Sequence, residues 1–213
     1  MLIYWYIMDI AQYLFKNYDV IYKNNSEKII LTIDDVPYQT NQFDKILETL
    51  DKYNCKATFF VISSLVNESN KSLLIKAIKN GHHLANHGVN NTMHAMCYYD
   101  SLHDEIETCQ KLINQLYNEA NVEEPQIKYF RPGVGIVTHT INEYCKNNNY
   151  KIVLGTNYCN DPKISSVTIN EYYIKQHLKS NDIIILHDRK WTPELLERLF
   201  SSGIRTHSLN ELN

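Results

Sequence analysis

The chain has 213 residues, enough for one sizeable domain and short for two. With 44% hydrophobic and 21% charged residues it reads as an ordinary globular sequence, which excludes a disordered chain. A formal net charge of -3 gives no electrostatic reason to expect nucleic acid or an anionic membrane as partner.

The opening stretch, MLIYWYIMDIAQYLF, is apolar but short, lacks a basic leader region and is interrupted by Asp9 before it is long enough to span a bilayer. It is expected to form an amphipathic helix within an N-terminal extension, residues 1–27, packing on a single domain over 28–213. A trimmed signal or an interfacial anchor is the alternative. The five cysteines (Cys55, Cys97, Cys109, Cys145 and Cys159) show no CxxC pair and no zinc-finger spacing. Their odd number argues against a complete disulfide framework and favours a reducing compartment, so a cytoplasmic location is expected over a secreted one.

From Lys28 onward, short β-rich apolar runs alternate with longer amphipathic stretches. Strands are expected at 28–33, 57–62, 82–86, 127–130, 151–155, 182–187 and 204–209. Helices are expected near 41–53, 70–80, 100–118, 138–149, 168–179 and 192–202. Thr138 is placed to cap a helix, Thr168 precedes one with Glu171 at capping-box spacing, and Thr192-Pro193-Glu194 puts proline in a first turn. Gly81 and Gly203 stand where helices should stop.

Such alternation implies an α/β fold with a mainly parallel sheet. About seven units in this length suit a distorted (β/α) barrel better than a wide open sheet, although a doubly wound sheet remains open. In either architecture the functional face lies at the carboxyl ends of the strands. The polar residues falling there are Asp34 and Asp35, His87, Arg131, the segment from Asn157 to Asp161, and His187 with Asp188.

Each has a bland reading beside a chemical one. Asp34 and Asp35 in TIDDVP are either a solvated turn before Pro37 or a pair needing a nearby cation, one binding a metal and the other, pointing the opposite way, taking a proton from water. His87 is a hydrogen-bonded strand-end histidine or a ligand; His82 and His83 read as structural. Arg131 in YFRPGVG is a loop arginine or a bidentate partner holding a carboxylate ionised. His187 ends the most apolar strand and is either a partly buried structural histidine or a general acid.

Together and in this order, these segments resemble the polysaccharide deacetylase family, also called carbohydrate esterase family 4 or the NodB homology domain. The resemblance runs from about Lys28 to Leu212. Thr32-Ile33-Asp34-Asp35-Val36 is similar to the family's TFDDG-like motif, Arg131-Pro132-Gly133-Val134-Gly135 to its RPxxG motif, and Ile185-Leu186-His187 to its closing Leu-x-His motif. Asp161 stands where an aspartate normally precedes Trp, here Pro162. VLGTNYCNDP and ILHDRKWTPELL also resemble a chitin-deacetylase-like branch.

The resemblance implies a metal-dependent hydrolase that removes acetyl groups from an N-acetylated sugar polymer or oligomer. Asp34 would be the general base, with Arg131 keeping it charged. His187 would protonate the leaving amine, tuned by Asp161. Asp35 and His87 would hold a divalent ion, zinc by family habit. Pro132, Val134 and Leu186 would line the acetylated carbohydrate, with a backbone N–H near Val134 completing an oxyanion site. The second motif departs from the family's His-Ser/Thr-x-x-His: Gly88 follows His87, and position +4 is Asn91, with His94 at +7. Three outcomes stay open: His94 reaches the metal through a longer loop, Asn91 ligates through its amide oxygen or a water, or the metal site is weakened. The rival expectation is a catalytically silent carbohydrate-binding protein that retains the fold.

Overall fold

A computed structural model describes residues 7–38 and 40–212. Among them, eight parallel strands form one sheet: β1 (Val20–Ile21), β2 (Ile30–Val36), β3 (Thr58–Val61), β4 (His83–Asn86), β5 (Lys128–Phe130), β6 (Tyr150–Val153), β7 (Asn157–Tyr158) and β8 (Ile183–His187). Their order is β1-β6-β5-β4-β3-β2-β8-β7. The helices are α1 (Ile7–Leu14), α2 (Thr40–Lys52), α3 (Lys71–Lys79), α4 (Tyr99–Ala120), α5 (His139–Asn147), α6 (Val167–His177) and α7 (Thr192–Ser201). The sheet curls into an incomplete barrel, as the alternation of units implied. Its ends are drawn together by the segment leaving β1: Lys23 bridges Asp182 antiparallel, and the Asn24 amide donates to the carbonyls of Lys28 (2.8 Å) and Asn181 (2.9 Å).

Strands covered on both faces read as continuous apolar runs, and here period-two alternation sorts them between two cores. Leu31, Ile33, Phe59, Val61, Leu84, Ile184 and Leu186 face outward onto the helices. Ile30, Phe60, Ala85, Tyr129, Val153 and Ile183 face inward and, with Leu209, fill the barrel below the site. A third cluster packs α4 and α5 against β5 and β6 through Ile106, Phe130, Ile141 and Tyr144.

Several sequence expectations shift. The first strand continues through both aspartates to Val36. The 204–209 segment is not a strand; it makes one isolated bridge, His207 to Ile30, and then turns into a 3-10 helix at Leu209–Leu212. β1 and β7 are two residues each, too short to leave a periodic pattern. Thr138 caps α5 as expected, its hydroxyl accepting from the Ile141 N–H. The cap of α6 is Ser166 instead of Thr168, and Glu171 pairs with Lys175 and Arg198. Gly81 and Gly203 both adopt positive φ after helices, as expected. Of the N-terminal extension, α1 is helical and Ala11 accepts from the Tyr22 hydroxyl; residues 1–6 lie outside the described residues. No helix among the described residues is long and apolar enough to cross a membrane, and all five cysteines are free.

His82 and His83 are structural. His82 Nδ1 accepts from the Ala57 N–H at 3.3 Å, and the His83 ring packs edge-on to Tyr129. Burial, with Lys56 adding to it at His82, pushes both imidazoles down to about 3. Below the ordinary histidine pKa of about 6.5 the unfolded chain therefore binds two protons that the folded chain refuses. Stability contributed by these neutral rings is complete above that value and is lost as pH falls toward about 3. Each histidine adds a slope of up to ~1.4 kcal/mol per pH unit in that window. Urea unfolding at stepped pH should show this slope, and His83→Gln should reduce it by about one proton's worth. An unchanged slope in the variant would refute the assignment.

Candidate active site

At the carboxyl ends of the strands a cavity of about 340 Å³ is lined by Asp34, Asp35, His87, Asn91, Arg131, Pro132, Val134 and His187, among others. Strand alternation alone would send neighbouring aspartates to opposite faces. The register of β2 against β3 shifts between Ile33 and Val36, and Asp35 adopts a left-handed backbone (φ 60). This irregularity turns both carboxylates into one cavity, where the sequence reading had them pointing apart.

Asp34 is 4% exposed and pairs with Arg131 Nη1 at 2.5 Å. The guanidinium is fixed from all sides: Nε donates to Val153 O (3.0 Å), Nη1 also to Thr32 Oγ1 (2.9 Å), and Nη2 to Leu154 O (2.7 Å). Its Cζ lies 4.0 Å from the Phe60 ring centroid. Burial works against the charged carboxylate, but Arg131, with His87 and His187 beyond it, holds Asp34 below the usual carboxylate range.

His187 stands opposite. Its Nδ1 shares a 2.9 Å hydrogen bond with Asp161 Oδ1, and its backbone N–H donates to Asp161 Oδ2, also at 2.9 Å. Asp161 is fully buried. Burial disfavours the imidazolium, yet Asp161, helped by Asp34 and Asp35, raises the His187 pKa above the ordinary imidazole value. With Nδ1 committed to Asp161, Nε2 is the ring atom left for the cavity.

His87 Nδ1 lies 2.7 Å from Arg131 O, which places a proton on Nδ1, and its Nε2 faces Asp35 Oδ1, 3.6 Å away. The other Asp35 oxygen accepts from Arg189 Nη2 at 2.5 Å. Sequence reading passed over Arg189, because an arginine after a strand-end His-Asp pair looks like an ordinary loop cation. Its position two residues beyond His187 was the available signal.

His94 does not line this cavity. Its Nδ1 accepts from the Gly133 N–H at 2.8 Å, and its Nε2 sits 3.8 Å from Glu105. The packing is tight: a Cβ at Gly88 would meet His94 Nε2 at 2.4 Å, and one at Gly133 would meet Thr92 O at 1.9 Å. Asn91 does reach the cavity. Leu186 belongs to the helix-facing core; alternation puts Ile185 on the cavity in its place. Val134, a β-branched residue held at φ 57, stands 64% exposed on the rim, a costly conformation for its type.

For a divalent ion, Asp35 and His87 are spaced as two ligands of one metal would be, and the Arg131 carbonyl fixes the far side of the His87 ring. A third acidic, histidine or cysteine donor is absent: among the described residues no group of three such side chains is arranged to hold a metal. Asn91 is a weak substitute and Arg189 already neutralises Asp35. The donor set as it stands does not fit a divalent metal site with three strong protein ligands.

A family model described as polysaccharide deacetylase matches residues 22–153. A peptidoglycan-N-acetylglucosamine deacetylase of Bacillus cereus is 30% identical over 203 residues, covering 88% of this chain and 89% of its own. A bifunctional xylanase/deacetylase of Pseudobutyrivibrio xylanivorans is 28% identical over 88% of this chain, which spans 31% of that protein's length. Among solved structures, a peptidoglycan N-acetylglucosamine deacetylase bound to a naphthyl N-oxidanyl-benzamide superposes with a TM-score of 0.82 at 20% identity, covering 95% and 96% of the two chains. A family 4 pseudoenzyme from Bacillus anthracis gives 0.78 at 20% identity, covering 91% and 68%. A family 4 acetyl xylan esterase from Clostridium thermocellum in complex with cobalt gives 0.73 at 27% identity, covering 86% and 89%.

Two variants test the geometry. Arg131→Met strands the buried Asp34 charge and should cost about 3–5 kcal/mol in urea unfolding, while adding Asp34→Asn should restore part of that loss. Strictly additive losses would show that the pair is not coupled. Gly133→Ala drives a Cβ into Thr92 O and should cost ~2–4 kcal/mol, seen as a fall in thermal midpoint.

Proposed function

The chain belongs to the polysaccharide deacetylase family, and from that premise we propose that it hydrolyses acetyl groups from an N-acetylated glycan of the chitin or peptidoglycan kind. The observation carrying this reading is the pairing of Asp34 with His187 as register partners on adjacent strands β2 and β8. Each is tuned by a dedicated buried partner and both line one cavity.

Asp34, kept ionised by Arg131, takes a proton from water as the water oxygen attacks the acetyl carbonyl carbon. The C–N bond breaks as His187 Nε2 delivers its proton to the leaving nitrogen, and acetate and a free amine result. Asp161 stabilises the imidazolium before transfer and holds the ring in orientation. Pro132 and Val134 border the place where the acetyl group would lie, and Tyr158 walls the side near His187, with ring centroids 6.0 Å apart. Deacetylases of this family are expected to use a divalent ion, zinc by preference, to polarise the carbonyl, and Asp35 with His87 would be its ligands here. Arg189 on Asp35 and the lack of a third strong donor among the described residues stand against such an ion.

Acetate release from chito-oligosaccharides or peptidoglycan fragments tests the reading. Asp34→Asn and His187→Ala should each lower kcat/KM by roughly 10²–10⁴ while glycan binding persists. Equal release by wild type and Asp34→Asn would remove Asp34 from the mechanism.

A second reading is a catalytically silent glycan-binding protein on the same fold. Asn91 in place of a histidine and the guanidinium on Asp35 favour it. It predicts no turnover on any acetylated glycan and an affinity that a chelator leaves unchanged.

A further inference from the structure

Two adjacent carboxylates in a buried cavity need compensating positive charge. Asp34 has Arg131. Asp35 has Arg189, whose side chain is held by three independent contacts. Nη2 donates to Asp35 Oδ2 at 2.5 Å, Nη1 donates to the Asp188 carbonyl at 2.9 Å, and the guanidinium lies 4.4 Å from the Tyr38 ring centroid. Tyr38 is itself anchored, its N–H donating to Asp188 Oδ2 at 2.8 Å. The segment after β2 and the segment after β8 thus grip one another, and the guanidinium is the piece between them. Arg189 thus meets the charge of Asp35 as Arg131 meets that of Asp34. A divalent ion at Asp35 and His87 would have to share Asp35 with a fixed positive group, in a place where His94 is turned away.

We propose that Arg189 is the resident cation of this site: its guanidinium occupies the electrostatic place of a divalent ion on Asp35 and thereby determines that the wild-type chain holds such an ion weakly. The inference rests on the contacts of Asp35 and Arg189 and not on the hydrolytic reading. It is decided by metal binding alone, so a failed acetate assay leaves it standing, and its own failure leaves that assay meaningful.

The test is calorimetric titration of zinc into chelator-stripped wild type, Arg189→Gln, and the double variant Arg189→Gln/Asp35→Asn, with melting curves confirming that each is folded. Cobalt(II) absorbance supplies a second readout that reports ligand type. Arg189→Gln should bind one zinc at least tenfold more tightly than wild type, and the gain should vanish in the double variant. Should Arg189→Gln fail to fold, Arg189→Met keeps the stem over Tyr38 and carries the same expectation. A gain below tenfold, whether wild type binds zinc tightly or neither protein binds it, overturns the proposal. So does a gain that survives the loss of Asp35.

Discussion

Arg131 sits inside the barrel and is bound from the ends of three strands at once, and the geometry of the site descends from it. Its backbone follows directly on β5, its guanidinium donates to carbonyls at the end of β6 and just beyond, and it holds Thr32 and Asp34 of β2. Its own carbonyl takes the Nδ1 proton of His87, just past β4. One fully desolvated cation therefore sets the ionisation of the base and the tautomer of the neighbouring histidine together. Such a group is costly to bury and is stable here because each contact answers a donor that would otherwise be stranded. The Phe60 ring beneath it completes the enclosure.

Charge is distributed around this anchor in pairs. Arg131 faces Asp34, Asp161 faces His187, and Arg189 faces Asp35. The first two pairings create opposite tendencies in residues that share one cavity: a carboxyl biased toward the base form and an imidazole biased toward the acid form. The third creates no acid or base. It neutralises a carboxylate that the family resemblance assigns to metal, and it is the point at which this site departs furthest from the expected one.

Much of this was legible in the sequence, for reasons that can be named. Long apolar runs ending in polar residues marked the strand ends, and the rule that function gathers there brought Asp34, His87, Arg131 and His187 together. Asp161 followed from its place after the run at 151–155. What escaped reading was set by tertiary geometry. The left-handed turn at Asp35, which brings both acids to one cavity, leaves no compositional trace. The orientation of His94 is fixed by the Gly133 N–H, a contact across the rim that spacing does not encode. Arg189 looked like a surface loop residue because nothing local announces that Tyr38 and Asp35 lie beside it. Leu186 was misassigned to the ligand for a simpler reason: a motif names neighbouring positions, whereas a strand presents alternate ones.

The register of Asp34 against His187 belongs to the backbone ladder, and this makes the spacing of the two groups unusually inheritable. Adjacent strands lie about 4.8 Å apart wherever they are paired, so the separation of these two Cα atoms is independent of every loop around the rim. The loops at 88–98 and 133–137 do not enter that backbone spacing, whereas 159–166 carries Asp161 and so fixes the orientation of the His187 ring. A one-residue slip between β2 and β8, by contrast, would turn one of them to the opposite face. The architecture thus separates what is held constant from what is open to revision, and a lineage can retarget such a cavity while its two working groups stay at the same distance.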